Sequence, residues 1–175
     1  MIYLLWSEKP ISNDSLNTSI HCYLIAESEN ELVKKLKKQF PKKSTKISDY
    51  IGENNNEIEF RSDLASTEKY ILQLPKPSIA DKELYVLEYK TNRKNLVPNS
   101  LGTSNCNYVY IHFEYSMSKI LDKAYHILAT ASGDNNPVLI EILKRKLNKD
   151  GSYNFSTSLD NCTISLYSFD LETEL

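Results

Sequence analysis

Between Tyr108 and Leu147 the apolar positions change their spacing from every second residue to every third or fourth. Over Tyr108–Tyr115 side chains alternate across a strand: Val109, Ile111, Phe113 and Tyr115 share one face, and Tyr108, Tyr110, His112 and Glu114 the other. Ile120, Leu121, Ala124, Ile127, Leu128 and Ala131 then follow the stripe of an amphipathic helix. Ser132–Asn136 breaks the pattern, Asn136 can cap, and Pro137 suits a first helical turn. Val138, Leu139, Ile142, Leu143 and Leu147 repeat the stripe in a second helix.

Upstream, alternation predicts strands at Met1–Trp6 and Ile20–Ala26, with polar Ile11–Ser19 as a loop between them. Ser28 and Glu31 have the spacing of a capping box. The helix behind it carries Leu32, Val33, Leu36 and Phe40 on its buried side and stops at Pro41. Lys42–Asn56 reads as an exposed connection. Strands follow at Glu57–Arg61, Lys69–Leu74 and Glu83–Lys90, and Thr91–Asn107 reads as a long loop. Past a turn at Asn148–Gly151, Ser152–Ser158 and Cys162–Phe169 form a hairpin turning at Asp160-Asn161, and Leu171–Leu175 is an acidic tail.

Strands, helix, strands, two helices and a hairpin do not sustain the βαβ alternation. The expectation is therefore α+β: a single globular domain over 1–175, with a mostly antiparallel sheet. One N-terminal helix and a two-helix hairpin pack on that sheet. At 41% apolar and 25% charged the 175 residues are ordinary globular material, and a net charge of −2 gives no general pull toward nucleic acid or membrane. No apolar run has the length of a membrane helix, and Met1–Trp6 is too short for a signal-peptide core, so a cytoplasmic protein is expected. Cys22, Cys106 and Cys162 are odd in number and widely spaced, as reduced thiols rather than a disulfide framework.

The chemistry available narrows function further. The four glycines, Gly52, Gly102, Gly133 and Gly151, stand alone, so neither a P-loop nor a dinucleotide fingerprint exists. Neither a Cys-x-x-Cys pair nor a His-Glu-x-x-His is present. His112-Phe113-Glu114 has a zinc-deaminase spacing without the cysteines that complete the site. Ser116 and Lys119 match Ser-x-x-Lys without its companion motifs, and the plainer reading is that Ser116 or Ser118 caps the helix. No catalytic set, metal ligand set or cofactor is expected.

Two features can still carry binding. Tyr108, Tyr110, His112 and Glu114 form a face with aromatic platforms beside an acid–base pair, suited to a nucleotide or base. If half covered, the same tyrosines pack across to Tyr85, Tyr89 or the final hairpin. His126, flanked by core positions, reads as a boundary histidine. The second feature is basic: Lys34, Lys35, Lys37, Lys38, Lys42, Lys43 and Lys46, seven lysines against the two acids Glu31 and Asp49. Lys37 and Lys38 complement a helix C-terminus, but the lysines beyond Pro41 do not. Such segregation of charge orients association with a complementary partner. The leading expectation is thus a non-catalytic intracellular protein that binds another protein, of the toxin-immunity or defence-inhibitor type. The alternatives are a nucleotide-binding protein or small enzyme using the Tyr108–Glu114 face, or nucleic-acid binding through Lys34–Lys46.

Overall fold

The computed structural model describes residues 1–12, 15–39, 51–53, 57–62, 69–93 and 107–174. Its elements run β1 (Ile2–Ser12), β2 (Ser15–Ala26), α1 (Glu29–Gln39), β3 (Ile51–Glu53), β4 (Glu57–Ser62), β5 (Lys69–Leu74), β6 (Glu83–Arg93) and β7 (Asn107–Glu114). After these come α2 (Met117–Ser132), α3 (Pro137–Asp150), β8 (Ser152–Ser156), β9 (Asp160–Asp170) and α4 (Leu171–Glu174). The α+β class read from the pattern is the observed one. The strands, however, divide over two sheets, β2-β1-β5-β3 and β4-β7-β6-β9-β8, where one had been expected. Backbone contacts gather the chain into two compact units. Met1–Asn56, Leu64–Lys82 and Phe169–Leu175 make the first, and Glu57–Asp63 with Glu83–Ser168 the second. No described helix is long and apolar enough to cross a membrane.

The first unit is built on a long antiparallel hairpin of β1 and β2. It overruns the expected loop at Ile11–Ser19 because Pro10 is tolerated where it falls. Among the described residues β1 pairs with β5 as far as Ser7 and with β2 as far as Ser12, with a register shift between Pro10 and Ser12. A proline without an N–H is accommodated where the ladder is irregular. The expected connection at Lys42–Asn56 also holds a strand, since β3 pairs in parallel with β5. Leu32 and Leu36 of α1 pack with Leu5, Leu24, Ala26 and Ile71. The capping box forms in a shifted version: Ser28 Oγ accepts from Glu31 N–H at 3.2 Å, and Glu31 accepts from Glu27 N–H at 3.0 Å. The expected acidic tail makes a helical turn in which Leu171 is buried.

The second unit holds the strand and two helices read from Tyr108–Leu147. Ser116 caps α2 and Asn136 caps α3, accepting from Lys119 N–H and Val138 N–H respectively. Both helices end on a left-handed glycine, Gly133 at φ 70° and Gly151 at φ 68°, which a side chain would strain. Leu87 and Ile164 from the sheet meet Ile120, Ala124 and Leu128 of α2 and Leu143 and Leu147 of α3 in one core. The final hairpin turns earlier than expected. Ser156 pairs with Asn161, and Thr157 N–H donates to the Asp160 carbonyl at 2.9 Å. Thr157 Oγ1 accepts from Asp160 N–H at 2.9 Å, so a threonine side chain closes the turn that Asp160-Asn161 had been expected to make. Cys162 is buried, its sulfur beside the Tyr89 hydroxyl.

Candidate functional site

The register of β6 on β7 sets Leu87 opposite His112, Tyr89 opposite Tyr110 and Thr91 opposite Tyr108. Directly opposed residues share a face. Since Leu87 belongs to the core beneath α2 and α3, the Tyr108–Glu114 face is the helix-covered one. Tyr110 and His112 are only 6% and 7% exposed. The tyrosines pack as the half-covered alternative anticipates. Tyr89 meets Tyr108 edge-on with centroids 6.4 Å apart, and stacks on Phe155 of the hairpin at 6.4 Å. Burial and the Cys162 thiol beside its hydroxyl raise the Tyr89 phenol, which stays protonated.

Cross-strand pairing on the other side places Glu57 of β4 opposite His112. One oxygen of Glu57, Oε2, gathers three groups. Tyr110 donates to it at 2.7 Å, Lys123 Nζ of α2 lies at 3.3 Å, and His112 Nδ1 lies at 3.5 Å. Lys123 also sits over the Tyr110 ring, 5.2 Å from its centroid. The Tyr110 hydrogen bond, and after it the Lys123 ammonium, hold the Glu57 carboxyl below the usual carboxylate range despite some desolvation. On its other side His112 Nε2 stands 3.6 Å from Glu114. That is beyond hydrogen-bond length, and among the described residues Nδ1 has no hydrogen-bond partner. Burial, then the Lys123 charge, push the imidazole below its ordinary value, and the Glu114 and Glu57 carboxylates only partly oppose this.

Both shifts have the same consequence. An imidazole depressed below 6.5 stays neutral when folded and takes a proton when unfolded, so stability falls as pH drops below 6.5 toward the folded value. The depressed Glu57 carboxyl adds a second loss as pH passes below 4.5 toward its folded value. Denaturant midpoints should fall from pH 7.5 to 5.5 and further by pH 4, with Glu57→Gln flattening the lower step. A midpoint that rises on acidification contradicts the assignment.

Beside this cluster lies a cleft of about 330 Å³, lined by Glu57, Tyr89, Tyr108 and Tyr110 from the sheet and by Lys123, His126, Ile127, Thr130 and Ala131 from α2. The α2 residues follow helical spacing on a stripe beside the core stripe of Ile120, Ala124 and Leu128. From Lys123 to Ala131 they span on the order of 12 Å at the helical rise. Of the residues picked from the sequence, Tyr108 and Tyr110 line the cleft, while His112 and Glu114 lie outside its lining. His126 is exposed and faces the cleft rather than a core boundary. Glu57 and Lys123 escaped the sequence reading. Lys123, Ile127 and Thr130 recur at helical spacing, which is a visible signal, but Glu57 reaches the site through a long-range strand pairing that no local pattern reveals.

The basic run divides. Lys34, Lys37 and Lys38 are exposed on α1. Lys35 turns back, donating to the Ile25 carbonyl at 2.8 Å and pairing with Glu31 at 3.3 Å. Lys42 and Lys43 lie outside the described residues. Among the described residues no group of three or more His, Cys, Asp or Glu side chains is placed to hold a metal ion.

No family model, curated protein or solved structure matches this chain.

Proposed function

We propose that this chain is a binding protein acting by recognition rather than bond-making, and that its site is the tyrosine-walled cleft beside α2. The observation that carries this is the lining: three tyrosines and two apolar α2 residues, with the Glu57–Lys123 pair as a fixed polar group. Apolar and aromatic walls with a few placed polar groups are what small-ligand sites share, and this cleft sits at the small end of their volume range. The ionisable groups of the Glu57–His112 cluster are poorly suited to proton transfer. Glu57 is held ionised by Tyr110 and Lys123, and His112 is buried beyond the lining. A panel of planar compounds (nucleobases, nucleosides, aromatic acids) tests this by melting temperature. A ligand at about 100 times its Kd should raise Tm by roughly 5–10 °C, and Tyr108→Ala should erase the gain. A panel that moves nothing, or a gain that persists in the variant, counts against the cleft.

A second reading, association with an acidic protein partner of the kind an inhibitor would neutralise, is supported by the exposed Lys34, Lys37 and Lys38 on α1. It predicts capture at low salt that weakens steeply as salt rises and is reduced by charge reversal at these three lysines. Salt-insensitive capture, unchanged by the reversals, would remove it.

A further inference from the structure

We propose that β8 is a self-association site: its outer edge adds, antiparallel and across a two-fold axis, to β8 of a second copy of this chain. The sheet order leaves β8 at one end of the five-stranded sheet, and among the described residues no strand pairs with its outer side. Two hydrogen bonds that bracket the strand decide which backbone groups face outward. Leu166 N–H donates to the Gly151 carbonyl at 2.8 Å, and Thr157 N–H to the Asp160 carbonyl at 2.9 Å. Gly151 and Thr157 therefore turn their backbone toward β9. Backbone direction alternates along an antiparallel strand, and the register runs from Ser152↔Ser165 to Ser156↔Asn161 without a shift. Tyr153 and Phe155 thus also bond inward, and the N–H and C=O groups of Ser152, Asn154 and Ser156 point outward. Asn154 and Ser156 are exposed and Ser152 half-buried, and all three side chains are short, so a further strand can approach closely.

Open strand edges are commonly guarded against pairing by a charge, a proline or a bulge. β8 carries none of these, and no charged residue occurs from Ser152 to Leu159 in a chain that is 25% charged. The strand's own sequence selects the occupant. Ser152-Tyr153-Asn154-Phe155-Ser156 reads nearly the same in both directions, so an antiparallel copy centred on Asn154 matches like with like. Asn154 then meets its own equivalent at the axis, and Ser152 meets Ser156 on either side. Each of these pairs exchanges both backbone hydrogen bonds, so every outward N–H and C=O of the two strands is used. On the face packed against the α2–α3 core, Tyr153 comes opposite Phe155 of the second copy, extending the stack these rings already make within the strand at 6.0 Å. The strands bring no like charges together. Such a contact is isologous, and it is smaller than the standard interface of about 1,600 Å², so the association is weak and depends on concentration.

Sedimentation velocity on the full chain over a concentration series tests this, with circular dichroism confirming the fold of each variant. Asn154→Lys and Asn154→Asp each set like charges against one another at the axis, at an exposed position where the fold tolerates them. The unmodified chain should dimerise, and each variant alone should associate roughly tenfold or more weakly. An equimolar mixture of the two variants should recover the dimer, because lysine then faces aspartate. Dimerisation of the unmodified chain should hold as salt rises, whereas a steep loss would assign it to charged surface and overturn β8 as the site. A chain that stays monomeric throughout, leaving the edge to a strand of another protein, overturns the second copy as occupant. A dimer that both variants leave intact overturns β8. Loss in both variants that mixing does not restore overturns the pairing centred on Asn154.

Discussion

Replacing Leu128 by alanine is expected to cost about 3 kcal/mol of stability, within the 2–5 kcal/mol typical of buried leucine truncations. Leu128 is 2% exposed, and it packs with Leu87 and Ile164 of the sheet, with Ile120 and Ala124 of its own helix, and with Leu143 and Leu147 of α3. Interiors this dense relax only partly around a missing side chain, so the cavity adds to the lost transfer energy. In a chain of this length the melting temperature should fall by roughly 6–12 °C. Val138→Ala, at a position 60% exposed, should change stability by no more than about 0.5 kcal/mol. The comparison matters for function because one helix carries both stripes. The same α2 that is anchored through Leu128 presents Lys123, Ile127, Thr130 and Ala131 to the cleft. A loss below about 1 kcal/mol in urea unfolding would mean that α2 is not fixed on the sheet as described.

Ala131→Trp should do the reverse, leaving the fold in place while abolishing occupancy of the cleft. Ala131 is half-buried in the last turns of α2 and lines the cleft with Tyr108. An indole there occupies the space a planar ligand needs and offers its own face to the tyrosines. Ligand affinity should drop by roughly tenfold or more, with Tm of the free chain changed by no more than about 2 °C. A variant that still binds at full strength would place the ligand elsewhere on the molecule.

The periodicities that predicted α2 and α3 are local, and so are the caps at Ser116 and Asn136 and the glycines that end both helices. These were legible, because each rests on residues within a turn of one another. What was not legible depends on distant pairing. A strand pattern cannot say how many sheets form, nor that Pro10 falls beside an irregularity of the β1–β2 ladder. The turn at Thr157 was hidden by the plausible Asp160-Asn161 dipeptide, because a side chain rather than backbone type closes it. For the site, alternation correctly grouped Tyr108, Tyr110, His112 and Glu114. It could not show that α2 covers that face, or that Glu57 arrives beside it. His112, grouped with them as half of an acid–base pair, is a buried neighbour of the group that faces the cleft.

The most direct measurement is a heteronuclear NMR titration of the intact chain with whichever planar compound most raises its melting temperature. Saturable shifts confined to Tyr89, Tyr108, Tyr110 and the Lys123–Ala131 stretch of α2 are the predicted result. Shifts centred on Lys34–Lys38 of α1, or none at saturating compound, would contradict the cleft as the binding site.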